Sequence, residues 1–157
     1  MIFLAGTRNG RETRRRILEA IERDPGVNKS DLARRLGHSW GTMSHHVQRL
    51  ARQGHLRPFR DGRELLLYPA AVPRSRLRQL AALQGDVPVR ILALLAQSER
   101  GVQELAGLVG SSRKVVRRSL QHMDEAGLVG RGPGLHGKFY LREPDWADLV
   151  HRYVERT

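Results

Sequence analysis

LARRLGHSWGTMSHHVQRLARQGHL (Leu32–Leu56) is the stretch that decides the fold, because a second version follows as LAGLVGSSRKVVRRSLQHMDEAGLV (Leu105–Val129). The two stretches align without a gap at a shift of 73 positions. Upstream, the tripeptide RIL at 16–18 recurs at 90–92, where the shift is 74. A repeat this long is a whole small domain, since solenoid units are shorter and need three or more copies to bury a core. The chain is therefore predicted to contain two copies of one module.

Composition agrees with two small intracellular domains. The chain has 157 residues, of which 39% are hydrophobic and only 5% aromatic, so we expect two small aliphatic cores. It has no cysteine, which excludes disulfides, thiolate metal sites and a cysteine nucleophile and fits a reducing cytoplasm. The apolar start at 2–5 is too short for a signal peptide, and no segment has the apolar length to cross a bilayer. We therefore expect a soluble, cytoplasmic protein without a membrane partner.

Helical periodicity is clear in the first copy. A first helix is predicted over Glu12–Arg23, ended by the Asp-Pro-Gly that follows. Either Asn28 or Ser30 caps a second helix, and Ser39 caps a third over Trp40–Gln53. Apolar residues recur in the third helix at i, i+4 and i+7, which gives it one buried face.

An extended hairpin follows the third helix. Asp61-Gly62 separates two extended runs and predicts a tight turn, and Pro58 predicts an edge strand because it lacks an N–H donor. Three helices followed by a basic hairpin is the order of a winged helix-turn-helix. The predicted fold class is mainly α with small β-hairpin wings (α+β), as two tandem winged helix-turn-helix domains.

The domain boundaries follow from the repeat. We expect the first winged-helix domain at 1–72, a connecting segment at 73–86 and the second domain at 87–157. The connecting segment has amphipathic leucines and is predicted to form a short helix that fixes the angle between modules or joins a dimer. Asp86 is expected to cap the next helix, and Pro144-Asp145 to begin a C-terminal helix.

The first copy resembles bacterial and archaeal winged-helix transcriptional regulators of the ArsR/MarR type. The shared pattern is an apolar second helix ending near Gly, a capped turn, a Ser in the recognition helix, and Gly followed by apolar residues into the wing. The matching residues are Ser44, His46, Leu50, Gly54 and Leu56. The second copy matches more loosely and has Arg117 in place of Ser44. The resemblance covers 11–68 and 87–141 and implies a regulator of transcription that binds double-stranded DNA.

Charge indicates the same partner. The chain has 28 Lys and Arg against 16 Asp and Glu, a net charge of +12. A genome rich in G and C would favour Arg over Lys, but it would not produce this excess. A small domain so basic is expected to bind a polyanion, and nucleic acid is the first candidate.

The residues expected to contact DNA lie opposite the apolar stripe of each third helix and on each hairpin. In the first copy they are Trp40, Gly41, Thr42, Ser44, His45, Gln48, Arg49, Arg52, Arg60 and Arg63. In the second copy they are Arg113, Lys114, Arg117, Arg118, Gln121, Arg131 and Lys138, with His136 also marking the second wing. The resemblance implies that these helices enter the major groove. An ordinary solvated helix face is the alternative reading of the same residues.

Side-chain chemistry predicts different DNA contacts for the two copies. Gln48 can bond adenine through two hydrogen bonds and Ser44 can bond either base, while the arginines suit phosphate. We expect the first copy to carry most base readout, through Gln48, Ser44 and His45, and the more basic second copy to add salt-dependent affinity for the backbone. Two modules in one chain could span successive major grooves, about 34 Å apart, without a dimer.

Two residue types have open interpretations. Trp40 could stack on DNA or cover the turn before the third helix. The neighbouring His45 and His46 point about 100° apart on a helix, so they make a poor metal-ligand pair, and no metal site is expected. His46 is expected to be packed and hydrogen-bonded.

No enzyme motif is present. The sequence has no GxGxxG, GxxxxGK[ST], GxSxG or HExxH, so we expect no catalytic residue and no cofactor. The sequence points to no effector ligand.

Two alternatives to a sequence-specific, nucleoid-associated regulator stay open. One is an architectural or chromatin DNA-binding protein without sequence preference. The other is a winged-helix module that binds protein or RNA in a larger complex.

Overall fold

The computed structural model describes residues 2–134 and 137–154, and the side chains from residue 9 onward within these ranges. The chain divides into two compact units, the first ending at Leu77 and the second beginning at Arg78. Each unit is mostly helical and carries an antiparallel β-hairpin. The predicted fold class, tandem winged helix-turn-helix domains, is confirmed.

Three helices form the body of the first unit. They are α1 (Ile2–Arg23), α2 (Lys29–Leu36) and α3 (Trp40–Arg52). The predicted start of α1 at Glu12 was wrong by ten residues. Residues 2–11 lack apolar periodicity but hold no proline, and a helix tolerates isolated glycines, so the helical backbone extends through them. The Asp-Pro-Gly sequence ends α1 as predicted, with Gly26 at φ 90°.

The strands of the first unit form a three-stranded antiparallel sheet. They are β1 (Val27–Asn28), β2 (Leu56–Asp61) and β3 (Glu64–Pro69), in the order β1-β3-β2. The β2 strand is at the edge, as Pro58 predicts. The turn residues are Gly62 and Arg63 instead of Asp61 and Gly62, because Asp61 pairs with Glu64. Of the two turn residues, Gly62 has a positive φ, 59°, and Arg63 does not. This combination fits a hairpin turn that needs glycine at its first central position.

Capping fixes the helix-turn-helix of the first unit. Asn28, and not Ser30, caps α2 by accepting a hydrogen bond from the Ser30 N–H. Gly37 ends α2 in the left-handed conformation at φ 70°, and Ser39 then caps α3 by accepting from the Thr42 N–H. The turn between the two helices is therefore held at both ends.

The second unit repeats this arrangement. After a 3-10 turn at Arg74–Arg76, its helices and strands are α4 (Leu77–Ala82), α5 (Asp86–Gln97), α6 (Val102–Val109), α7 (Arg113–Glu125), β4 (Val129–Arg131), β5 (Phe139–Leu141) and α8 (Trp146–Tyr153). Asp86 is the first residue of α5 and makes no capping hydrogen bond, since the capping position is Gly85. The predicted cap at Asp86 was wrong.

The repeat persists at backbone level. Helices α6 and α7 begin 73 residues after α2 and α3, and Ser112 caps α7 as Ser39 caps α3. Gly110 ends α6 with φ 70°, the value at Gly37. The second wing differs, because β4 and β5 have three residues each and Arg100 makes a bridge to Phe139.

Each unit has an aliphatic core. In the first unit the buried side chains of α3 are Met43, Val47 and Leu50, packed with residues of α1 and α2. In the second unit the corresponding side chains of α7 are Val116, Leu120 and Met123. The apolar stripe predicted for α3 is confirmed, so the opposite face of that helix faces outward.

Among the described residues, no single helix is long and apolar enough to cross a membrane, although the bent pair Arg74–Ala82 and Asp86–Gln97 together meets the criteria of length and composition.

Candidate nucleic-acid interface

The outward face of α3 carries the side chains predicted to contact DNA. Trp40 is 63% exposed, which settles its open interpretation against burial. Ser44 is half-buried, and the other predicted contacts on this helix are exposed: Gly41, Thr42, His45, Gln48, Arg49 and Arg52. Apart from the two arginines, this face carries aromatic, hydroxyl, imidazole and amide groups along the start and centre of the helix. Such a face suits contact with base edges better than contact with phosphate alone.

Hydrogen bonds within α3 order part of this face. The hydroxyls of Ser39 and Thr42 lie 2.9 Å apart and bond to each other. The Arg52 Nε donates to the Gln48 carbonyl over 3.5 Å, which draws the guanidinium back along the helix. The acceptor is the backbone carbonyl of Gln48, so this bond does not involve the side-chain amide of Gln48.

Lys29 contacts the exposed face of α3, and no sequence pattern indicates this contact. Its ammonium donates to Ser44 Oγ over 2.9 Å and lies 4.0 Å from the centre of the Trp40 ring. Burial, and then the nearby charge of Arg60, lowers the pKa of Lys29. These partners lie 11, 15 and 31 positions away, so periodicity within one helix gives no signal for the contact.

The first wing contributes exposed arginines. Arg60 lies on β2, and Arg63 lies in the turn between β2 and β3. The β2 strand, which carries Arg60, packs against α3, so this part of the wing lies beside the recognition helix. The structure therefore brings the wing and the recognition helix of the first unit together.

A basic cleft lies between α7 and the second wing. Four of the predicted contacts line it: Arg113, Arg117, Arg131 and Lys138. Val102 and Glu104 of α6 also line it, so the cleft holds one carboxylate against four cations. Arg131 lies 5.6 Å above the Phe139 ring, which holds its guanidinium along the wing. The cleft is suited to an extended polyanion.

The remaining predicted contacts of the second unit are also exposed. Lys114 and Arg118 lie on α7, outside the cleft. Gln121 donates from its amide to Glu125 over 3.3 Å, so this glutamine has an intramolecular partner. His136 lies outside the described residues.

The neighbouring histidines of α3 lie edge to face, and one of them is partly buried. The His45 and His46 ring centres lie 5.6 Å apart with the rings edge to face, and no group of three or more metal-ligating side chains occurs in the part of the chain that is described. His46 is partly buried, as expected, but its Nδ1 has no hydrogen-bond partner among the described residues, so the predicted hydrogen bond was wrong there. Burial first, and then the charge of Arg14, lowers the pKa of His46.

Two family models match the chain, one in each unit. A model for winged helix-turn-helix DNA-binding domains matches residues 11–56, and the model of the bacterial regulatory protein arsR family matches residues 88–130. Each match contains the helix-turn-helix and the recognition helix of its unit. The comparison with curated proteins found no match.

Solved structures resemble the chain. A homodimeric winged helix-turn-helix DNA-binding domain from Mycobacterium bovis, described as a possible ArsR-family regulator, is 30% identical over 50% of this chain and 73% of its own, with a TM-score of 0.44. HlyU from Vibrio cholerae is 23% identical over 52% of this chain and 90% of its own, with a TM-score of 0.43. A hypothetical protein from Pyrobaculum spherical virus is 17% identical over 86% of this chain and 96% of its own, with a TM-score of 0.48.

Proposed function

Since the chain belongs to the winged helix-turn-helix regulators of the ArsR type, in a tandem two-module version, and is a DNA-binding transcriptional regulator, we propose that it reads base sequence with α3 and holds the phosphate backbone with α7. The observation that carries this division is the contrast between the two exposed faces. The α3 face is mainly aromatic, hydroxyl, imidazole and amide, whereas the α7 face is mainly guanidinium and ammonium.

Base readout falls to Gln48, Ser44 and His45. An amide can bond the N6 and N7 edge of adenine with two hydrogen bonds, and each good pair of this kind discriminates between bases by about 1–3 kcal/mol. Gln48 is exposed one turn after Ser44, on the same side of α3. Trp40, Gly41 and Thr42 would approach the groove at the start of the helix, with Arg49 and Arg52 meeting phosphates.

Backbone contact falls to the second unit and both wings. The cleft residues Arg113, Arg117, Arg131 and Lys138 would receive phosphates, and Lys114, Arg118 and Gln121 would extend this surface along α7. In the first unit, Arg60 and Arg63 of the wing would track phosphates or enter a minor groove. Each phosphate contact releases counterions, so this part of the affinity depends on salt.

The finer features of the assembly belong to the same proposal. The matched families are DNA-binding regulators, which supports a protein that acts by binding double-stranded DNA. It would work at the nucleoid in the cytoplasm, with functional domains at 1–72 and 87–157 joined by 73–86. A homodimer would double the number of recognition helices, and light scattering on the protein with and without DNA would reveal one.

The deciding experiment is selection of bound duplexes from a random DNA pool, at low and at near-physiological salt. Wild-type protein should enrich a motif that persists as salt rises. Gln48→Ala should lose preference at one base position by about fivefold to 150-fold, the equivalent of about 1–3 kcal/mol. Gln121→Ala is the matched control at the same position of the second copy, and it should leave the motif intact because α7 is proposed to hold the phosphate backbone instead of reading bases.

The basic cleft of the second unit also favours an architectural role without sequence preference. That role predicts binding that enriches no motif and collapses as salt rises. Absence of duplex binding at both salts would contradict both DNA functions and favour an RNA or protein partner.

A further inference from the structure

We propose that Lys29 is a positioning residue for base readout, which orients the Ser44 hydroxyl and the Trp40 ring and thereby sets the base preference of α3. The inference rests on the proposed function, because it assumes that α3 reads base edges. It adds a residue outside the recognition helix to the determinants of specificity.

Lys29 joins two points on one face of α3. Trp40 and Ser44 are four positions apart, so they lie one above the other on the helix surface. The Lys29 ammonium donates to Ser44 Oγ over 2.9 Å and lies 4.0 Å from the Trp40 ring centre. A single cation therefore holds both side chains, through a charge-assisted hydrogen bond and a cation–π contact.

The backbone of Lys29 is itself held in place. The residue before it, Asn28, pairs with Leu66 across β1 and β3 and caps α2 through the Ser30 N–H at 2.8 Å. Lys29 is the first residue of α2, so its side chain starts from a point fixed by a strand and by a cap. The ammonium therefore reaches α3 from a backbone position that is fixed by contacts outside α3.

The hydrogen bond gives the Ser44 hydroxyl a preferred role. A serine hydroxyl has one hydrogen to donate and two lone pairs that accept. With the ammonium donating to Oγ, the hydroxyl hydrogen points away from Lys29 and can be donated to another acceptor. Ser44 then favours acceptors on a base edge, which are N7 and O6 of guanine, N7 of adenine and O4 of thymine, over the N4 amino group of cytosine.

The second copy lacks this arrangement. At the matching positions Val102 replaces Lys29, Arg113 replaces Trp40 and Arg117 replaces Ser44. Valine cannot donate a hydrogen bond, and the arginines bring their own charge into the cleft that Val102 helps to line. Only the first copy, which is proposed to read bases, therefore has a lysine of the preceding helix that orients side chains of the recognition helix.

The test compares full-length variants in the duplex selection described above. Lys29→Met keeps the length of the side chain and removes its hydrogen bond and charge. It should lose roughly three- to tenfold preference at the base position where Ser44→Ala also loses preference, as expected for one hydrogen bond. Lys29→Gln can still donate to Ser44 and should retain that preference. In a Ser44→Ala background, Lys29→Met should change the preference no further.

Arg34→Met is the matched control, because it removes one positive charge from an exposed position of the same helix. It should leave base preference unchanged. If Lys29→Met weakened binding equally for all sequences and kept the motif, Lys29 would be only a phosphate contact and the inference would be overturned. A lower stability with an unchanged motif would overturn it too, by showing a purely structural role.

The failure of the inference is distinguishable from failure of the proposed function. A wild-type protein that enriches no motif contradicts base readout, and the role of Lys29 falls with it. A wild-type motif that survives Lys29→Met contradicts the role of Lys29 alone.

Discussion

Among single residues, two imidazole nitrogens of the first unit stand out, because neither has a hydrogen-bond partner among the described residues. They are His38 Nε2, in the turn between α2 and α3, and His46 Nδ1, on α3. Both side chains line a depression that also contains Glu12 and Arg16 of α1. Buried polar groups normally have a partner, so these two nitrogens are exceptions at the junction of α1 with the helix-turn-helix.

The pH dependence of stability tests the environment of His46. Its folded pKa is lowered by burial and by Arg14, His45, His38 and Arg49 from the ordinary value of 6.5. Just below that value the unfolded chain binds a proton at this residue that the folded chain does not, so acid favours unfolding. Chemical denaturation between about pH 8 and pH 5 should therefore show a free energy of unfolding that falls with pH less steeply in His46→Gln than in wild type. Parallel curves for the two proteins would contradict this.

At the scale of elements, the recognition helices are defined by their ends. A serine caps each helix, and a left-handed glycine, Gly37 or Gly110, ends the helix before it. A cap of this type stabilises a helix by about 1 kcal/mol. The helix ends therefore share one design in the two units, while the exposed side chains between them differ.

Gly41 allows stability and binding to be separated. It lies within α3 on the exposed face, and a Cβ atom placed there meets nothing within 4 Å. Gly41→Ala should raise the free energy of unfolding by up to about 1 kcal/mol, since alanine favours the helix. It should weaken DNA binding, because the methyl group stands on the face proposed to approach the groove. Denaturation and binding titrations measure the two effects.

Gly107→Ala is the control for Gly41→Ala. Gly107 lies in α6, where it is exposed and equally free of neighbours. Its replacement should stabilise the protein and leave DNA affinity unchanged. Unchanged affinity in Gly41→Ala as well would mean that DNA does not approach the start of α3.

The elements could be predicted from the sequence wherever the signal is local. The repeat, the serine caps and the apolar stripe of α3 are all local patterns, and each is present in the structure. The start of α1 was missed because residues 2–11 carry no apolar period. Lys29 was missed because its contacts bring together α2, α3 and the wing, and the unpaired His46 nitrogen was missed because it depends on how α1 packs.

Across the whole molecule, the net charge of +12 is the main long-range feature. It attracts any nucleic acid without regard to sequence, and salt screens it. Base preference arises at short range and is far less sensitive to salt. The two contributions can therefore be measured separately in one protein.

Salt dependence should identify the phosphate contacts of the second unit. For duplex DNA, each phosphate contact adds about 0.9 to the slope of log affinity against log salt concentration. Removing two cleft cations in Arg117→Gln/Arg131→Gln should therefore reduce that slope by about 2 and leave the selected motif unchanged. A binding titration over a series of salt concentrations gives the slope.

A matched pair of substitutions controls for net charge. Arg15→Gln/Arg152→Gln removes the same charge from α1 and α8, where both arginines are exposed and paired with carboxylates. The slope should then stay near that of wild type. Equal slopes in the two double variants would mean that the cleft makes no special contribution.

The 73-residue correspondence makes the recognition segments interchangeable parts. Residues 40–52 and 113–125 have equal length, start after the same capping serine, and present their buried side chains at the same three positions. A graft of one segment into the other unit requires no adjustment of its splice points. The exposed chemistry of one segment can therefore change without disturbing the capping residues and buried positions that the two units share.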